Sequence, residues 1–154
     1  MKTLFAVLVL AVAAGGCNKQ AFPVTAHGGE MPHSIVDPYL KIQTALADDS
    51  MEGVRQNAGD IATAATALGA PAMKIDTAAV ALAAAGGGEL EDARAKFGTL
   101  SDAIDTYMKG FNLKAPEGIS VAYCPMAQKP WMQEGRMLAN PYYGKAMPTC
   151  GEFR

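Results

Sequence analysis

A chain of 154 residues has room for one domain with one modest core. Its 13 basic and 15 acidic residues give a net charge of −2, which argues against a nucleic-acid-binding protein because such proteins carry a basic surface. The apolar half of the composition is rich in alanine, which favours helices but fills little volume. The nine methionines suit either flexible core packing or thioether ligation of a soft metal ion.

Met1–Gly16 have the layout of a secretion signal. Lys2 supplies a positive charge, an uninterrupted apolar run follows from Leu4 to Ala14, and small residues lead to Cys17. The run is shorter than the roughly 20 residues that a permanent membrane helix needs. Ala14-Gly15-Gly16-Cys17 resembles a bacterial lipobox, which implies cleavage before Cys17 and lipidation of that residue. The alternative is ordinary cleavage in the same region, which would release a secreted protein without a lipid.

A lipidated Cys17 would anchor the protein to a membrane of the cell envelope. Several acyl chains on one residue hold a protein firmly, whereas a single chain binds only marginally. Asn18 follows Cys17 instead of the Asp that resembles an inner-membrane retention signal, so we expect the periplasmic face of the outer membrane. Residues 17–34 contain prolines and glycines without a regular apolar period, and they predict a flexible tether.

Four helices are predicted within a domain that spans residues 35–154. Asp37-Pro38 offers an N-cap followed by a residue suited to the first helical position. Asp49-Ser50-Met51-Glu52 predicts a capping box at the start of the second helix. In the first, second and fourth helices apolar residues recur every three or four positions, which is the period of an amphipathic helix, and the clearest stripe is Leu90, Ala93, Phe97, Leu100 and Ile104 in the fourth. The predicted bounds are about 38–47, 50–68, 74–85 and 89–110. Short connections then favour an all-α, up-down bundle of three to four helices.

Residues 119–154 predict an irregular, sulfur-rich tail that packs back onto the bundle. Five prolines between Pro116 and Pro148 exclude a long helix there. Aromatic residues such as Trp131 argue against disorder, because disordered segments contain few of them. Ile119–Tyr123 alternates in polarity and predicts one short strand.

A series of short motifs in this tail resembles the DUF3347 family. The matching segments are Tyr123-Cys124-Pro125-Met126-Ala127, Trp131-Met132, Asn140-Pro141-Tyr142-Tyr143-Gly144, Met147 and Cys150-Gly151, with Phe97–Ser101 in the last predicted helix. Members are small bacterial exported proteins or domains, some of them attached to periplasmic adaptor subunits of copper and silver efflux pumps. The resemblance covers roughly residues 38–151. It implies periplasmic residence, a helical bundle and a role in handling soft metal ions. Met132 and Pro148 depart from the family pattern, and neither change removes a sulfur atom.

Cys124, Met126, Met147 and Cys150 are the candidate metal ligands. Thiolates and thioethers are soft ligands that select Cu(I) or Ag(I). Cys124 and Met126 are two residues apart, so in an extended segment stiffened by Pro125 they would point to the same side. A structural disulfide between Cys124 and Cys150 is the alternative, because an even pair in an oxidising compartment usually bonds. Both interpretations remain open at this point.

His27, Met31 and His33 form a second candidate group of copper ligands, in the predicted tether. A histidine in such a segment is more often simply solvated. The chain contains no G-x-S-x-G or Walker motif. A nucleophilic cysteine would need a basic partner, and both histidines lie in the tether, so an enzyme is not expected.

The sequence therefore predicts a periplasm-facing lipoprotein that binds Cu(I) or Ag(I). Such a protein would buffer the ion or deliver it to an efflux system, with the periplasmic adaptor of a heavy-metal pump as a candidate partner. A second hypothesis is a disulfide-stapled helical interaction module of the cell envelope that binds no metal. A third is a thiol redox protein that uses Cys124 and Cys150, although the chain lacks a Cys-x-x-Cys motif.

Overall fold

The structure is a computed structural model that describes residues 29–85 and 89–154. The predicted signal sequence Met1–Gly16, Cys17 and most of the predicted tether lie outside the described residues. Four helices come first in the chain and three strands follow: α1 (His33–Ala47), α2 (Val54–Leu68), α3 (Met73–Ala85), α4 (Leu90–Phe111), β1 (Ile119–Cys124), β2 (Lys129–Glu134) and β3 (Glu152–Phe153). Among the described residues, no helix is both long enough and apolar enough to cross a membrane.

The predicted helical bundle is confirmed, but the all-α class is too simple. The tail contributes a three-stranded antiparallel sheet with the strand order β2-β1-β3. β1 and β2 form a hairpin in which Cys124 pairs with Lys129, and β1 pairs on its other side with β3, where Tyr123 lies opposite Glu152. The alternation that predicted a strand at Ile119–Tyr123 corresponds to β1.

The core lies between the helices and the sheet. Each helix packs on the next one in the chain, and β2 packs against both α1 and α4. The sheet therefore covers the side of the bundle between the first and last helices. Tyr39, Phe97 and Trp131 are almost fully buried there, and the rings of Tyr39 and Phe97 lie 4.8 Å apart. Leu100, in the predicted apolar stripe of α4, is fully buried.

The first helix begins more than a turn earlier than predicted. Asp37-Pro38 does not cap it, because α1 starts at His33 and contains Pro38. The carbonyl of Pro32 accepts hydrogen bonds from the N–H groups of Ile35 and Val36, at 2.9 and 3.1 Å. Both of these side chains are fully buried, so apolar packing supports the first turn.

Residues 29–34 do not form the flexible tether that was predicted. The N–H of Lys114 donates to the carbonyl of Gly29 at 2.9 Å, and the N–H of Met31 donates to the carbonyl of Lys114 at 2.8 Å. The Met31 side chain is only 1% exposed. This segment is therefore part of the folded domain.

Asp49–Glu52 does not form the predicted capping box. Ser50 Oγ accepts a hydrogen bond from the N–H of Glu52 at 3.1 Å, but α2 begins only at Val54. Gly53 precedes it with φ of 70°, a left-handed conformation that favours glycine. The carboxylate of Asp49 interacts instead with the tail, where it accepts a hydrogen bond from the N–H of Lys145.

Candidate metal-binding site

Cys124 and Cys150 lie beside one another at one end of the sheet. Cys124 is the last residue of β1, and Cys150 lies just before β3. The antiparallel pairing of Tyr123 with Glu152 brings the two segments together. Cys124 is fully buried and Cys150 is half-buried. Both cysteines of the described residues are free thiols.

Burial raises the pKa of the Cys150 thiol above its ordinary value. The neighbouring Cys124 raises this pKa further, both through the charge it carries when ionised and through hydrogen bonding. The charge acts because two ionised thiols close together repel each other, and the hydrogen bond acts because it stabilises the protonated form. At neutral pH the Cys150 thiol is therefore protonated, and a metal ion that binds it must displace a proton.

The two candidate thioether ligands are placed differently from one another. The side chain of Met126 is 59% exposed, and the chain turns directly after Cys124. The predicted extended segment at Pro125 is therefore wrong, and buried Cys124 and exposed Met126 do not share one side. Met147 is half-buried, and the N–H of Cys150 donates to its carbonyl at 3.2 Å. Met147 thus belongs to the turn that leads into Cys150.

Asn140 holds the backbone that carries Cys150. It is fully buried, and its Nδ2 donates to the carbonyl of Cys150 at 2.6 Å. Its Oδ1 accepts from the N–H groups of Tyr142 and Tyr143, at 2.8 and 3.3 Å. Its own N–H donates to the carbonyl of Pro148 at 2.8 Å. The Asn-Pro-Tyr-Tyr motif thus positions Cys150 through its backbone.

Trp131 packs directly against Gly151. The indole is 1% exposed, and its Nε1 donates to Gln133 Oε1 at 2.9 Å. A Cβ atom built on Gly151 would lie 2.5 Å from Trp131 Cη2, and the φ of Gly151 is 155°. Only glycine fits this position without displacing the indole. The tail's tryptophan and the glycine after Cys150 therefore form one packing unit beside the thiols.

Arg94 of α4 fastens the tail to the helices. Its guanidinium donates to the carbonyl of Pro141 at 3.0 Å, to the carbonyl of Leu46 at 2.8 Å and to Asp49 Oδ1 at 2.5 Å. The hydrogen bond from Arg94 holds the pKa of Asp49 below its ordinary value. Sequence reasoning missed this residue because a single arginine on an amphipathic helix resembles any solvated charge.

Gly144 lies against this ion pair. A Cβ atom at Gly144 would overlap both Asp49 Oδ1 and Arg94 Nη2, and the φ of Gly144 is 51°. The N–H of the next residue, Lys145, donates to Asp49 Oδ1 at 3.3 Å. The glycine that ends the Asn-Pro-Tyr-Tyr-Gly motif is the sequence signal for this contact.

A cleft of about 480 Å³ opens between α4 and the tail. Gly98 lies on its helical side, and Ala127, Tyr142 and Tyr143 lie on its tail side. The N–H of Ala127 also donates to Cys124 Sγ at 3.4 Å. One residue that lines the cleft therefore contacts the buried thiol directly.

The second candidate group of ligands is not brought together. His27 lies outside the described residues, and Met31 is buried in the core. His33 is exposed on α1, where its Nδ1 lies 2.9 Å from Asp37 Oδ1. Met31 and His33 therefore face different surroundings, the first apolar and the second aqueous.

Across residues 29–85 and 89–154, no three His, Cys, Asp or Glu side chains gather closely enough to hold a metal ion. No protein-family model, curated protein or solved structure matches the chain. The resemblance to DUF3347, and the function that it implies, stay predictions.

Proposed function

We propose that this protein is a lipoprotein on the periplasmic face of the outer membrane that binds one Cu(I) or Ag(I) ion through Cys124 and Cys150. It buffers the ion or passes it to an efflux system, with the periplasmic adaptor of a heavy-metal pump as its partner. One observation carries the proposal: two free thiols that are far apart in the sequence lie side by side. The resemblance of the tail to DUF3347 supports the same ion class.

Two adjacent thiolates match the ligand preference of a soft monovalent ion. On binding, both thiols lose their protons, and the positive ion offsets the burial and the neighbouring thiolate charge that together keep Cys150 protonated in the free protein. Affinity should consequently fall as the pH is lowered. Hard ions such as Mg²⁺ should not compete, because they prefer oxygen ligands.

The two methionines have separate roles in this proposal. Met147 belongs to the turn that precedes Cys150, and its thioether supplies a third, neutral ligand. Met126 is exposed on the hairpin turn after Cys124, where it can contact a partner protein. We assign to Met126 the exchange of the ion with that partner, because a weak thioether ligand releases the ion more readily than a thiolate does.

Titration of the reduced full chain with Cu(I), in competition with a chromogenic Cu(I) chelator, tests the proposal. The expected result is one ion per chain, with a change in the fluorescence of Trp131, which packs beside Gly151 and is the only tryptophan. Cys124→Ser and Cys150→Ser should each weaken binding strongly, because each removes an anionic ligand. Binding that survives the double substitution unchanged would rule out this site.

Two methionine variants provide a matched comparison. Met147→Leu keeps the volume and removes the thioether, so it should weaken Cu(I) binding without unfolding the protein. Met73→Leu is the control, because Met73 is 61% exposed on α3 and belongs to no candidate site. Equal affinities in the two variants would exclude Met147 as a ligand. If thiol counting instead finds a permanent disulfide in the native protein, the metal-free interaction module becomes the better explanation.

A further inference from the structure

The two cysteines differ in exposure although their thiols are neighbours. Cys124 is fully buried, whereas Cys150 is half-buried and reachable from solvent. We propose that they form a dithiol–disulfide switch in which Cys150 reacts first with an external disulfide and Cys124 completes the bond. The switch governs whether the ion can bind, and this one consequence rests on the proposed function.

The sheet keeps the two thiols together, but it does not fix them as free thiols or as a disulfide. β1 and β3 pair at Tyr123 and Glu152, and the N–H of Arg154 donates to the carbonyl of Val121 at 2.9 Å. On the other side of Cys150, Asn140 holds the carbonyl of that residue at 2.6 Å. Both backbones are therefore anchored while the two thiols lie side by side.

The order of reaction follows from access. The attacking sulfur must lie in line with the S–S bond of the external disulfide. A fully buried thiol leaves no room for a disulfide to approach in this way. Cys124 is fully buried, and its Sγ accepts a hydrogen bond from the N–H of Ala127 in the hairpin turn at 3.4 Å. Cys150 is thus the entry thiol, and Cys124 is the resolving thiol that already lies beside it.

The chemistry balances with a small disulfide, RSSR, as the oxidant. The small fraction of Cys150 that is ionised attacks RSSR as the thiolate, a mixed disulfide forms on Cys150, and one RS⁻ leaves. The Cys124 thiolate then attacks the Cys150 sulfur of the mixed disulfide, which forms the Cys124–Cys150 bond and expels the second RS⁻. The two thiol protons end on the two leaving thiolates. Both anionic metal ligands are consumed, so the oxidised protein cannot hold the ion.

Oxidised glutathione is a suitable probe, applied to the full chain carrying Cys17→Ser so that only two thiols remain. After acid quenching, intact mass should show the loss of two hydrogen atoms without an adduct. Cys124→Ser should accumulate one glutathione on Cys150. Cys150→Ser should react at least about tenfold more slowly, because a buried thiol is inert. Equal adduct formation in the two variants would overturn the assignment of the entry thiol.

A second measurement guards against misfolded variants. Brief alkylation of the reduced, unsubstituted pair followed by peptide mapping should label Cys150 before Cys124, and the reverse order would overturn the proposal.

Cu(I) titration of the reduced and oxidised forms tests the metal site and the redox switch separately. If neither form binds Cu(I) but the disulfide still forms through Cys150, the metal function fails and the switch stands. If both forms bind Cu(I) equally, the disulfide does not control metal binding.

Discussion

Replacing Gly144 with alanine should destabilise the protein by about 2–4 kcal/mol. Its φ of 51° is left-handed, which costs a residue with a Cβ atom about 1–2 kcal/mol. The new methyl group would also overlap Asp49 Oδ1 and Arg94 Nη2. Forcing an extra methyl group into occupied space costs about 1–3 kcal/mol, and the lower part of that range, about 1–2 kcal/mol, applies because both side chains are partly exposed and can shift.

Urea denaturation followed by circular dichroism measures this change. Gly135→Ala is the matched control, because Gly135 also has a positive φ, 67°, but no atom lies within 4 Å of its Cβ position. The control should lose only the conformational part, about 1–2 kcal/mol. If Gly144→Ala costs no more than Gly135→Ala, the ion pair does not fasten the tail to the helices.

Three further predictions concern the core, the ion pair and the anchor. Leu100→Ala should lower the free energy of unfolding by about 2–5 kcal/mol because the side chain is fully buried, and a change near zero would contradict the packing. The depressed pKa of Asp49 means that its carboxylate stabilises the fold above the unfolded pKa, about 3.9, and that this contribution is lost as the pH falls through the folded value. Asp49→Asn should therefore flatten that part of the acid unfolding profile, whereas an unchanged profile would exclude the linkage. Cys17→Ser should release the protein from membranes and remove the mass that the lipid adds to it. Unchanged membrane fractionation would exclude lipidation.

The helices could be predicted because local signals agreed with the final packing. Apolar residues recur on one face of α1, α2 and α4, and Gly69 lies directly after α2. In α4 the predicted stripe, which includes Phe97 and Leu100, is buried as expected. The start of α1 could not be predicted from capping rules, because the burial of Ile35 and Val36 outweighed the cap offered by Asp37.

The sheet was harder to predict because most of it rests on contacts distant in sequence. Pro130 lies inside β2, and a proline argues against a strand because it lacks a backbone donor. β3 has only two residues, which is too short for any alternation to appear. Its pairing with β1 depends on a return of the chain that local pattern does not specify.

The sequence singled out the two cysteines of the candidate site, but it did not identify the residues that hold them in place. Cysteine chemistry singled out Cys124 and Cys150, because few side chains bind soft ions. The partnership of Arg94 with Asp49 joins residues 45 positions apart and left no mark on either local pattern. The motif residues around the thiols were noticed only as a resemblance, without a physical reason for each.

The structure supplies such a reason for the motif residues that carry no sulfur. Asn140 fixes the carbonyl of Cys150, and Gly151 leaves room for Trp131 beside it. Gly144 leaves room for the ion pair that secures the tail to α4. These residues hold one reactive segment against β1 and do not contribute ligands themselves. A segment held in this way keeps the two thiols together, which would lower the entropy cost of the proposed ion binding and of the proposed disulfide formation.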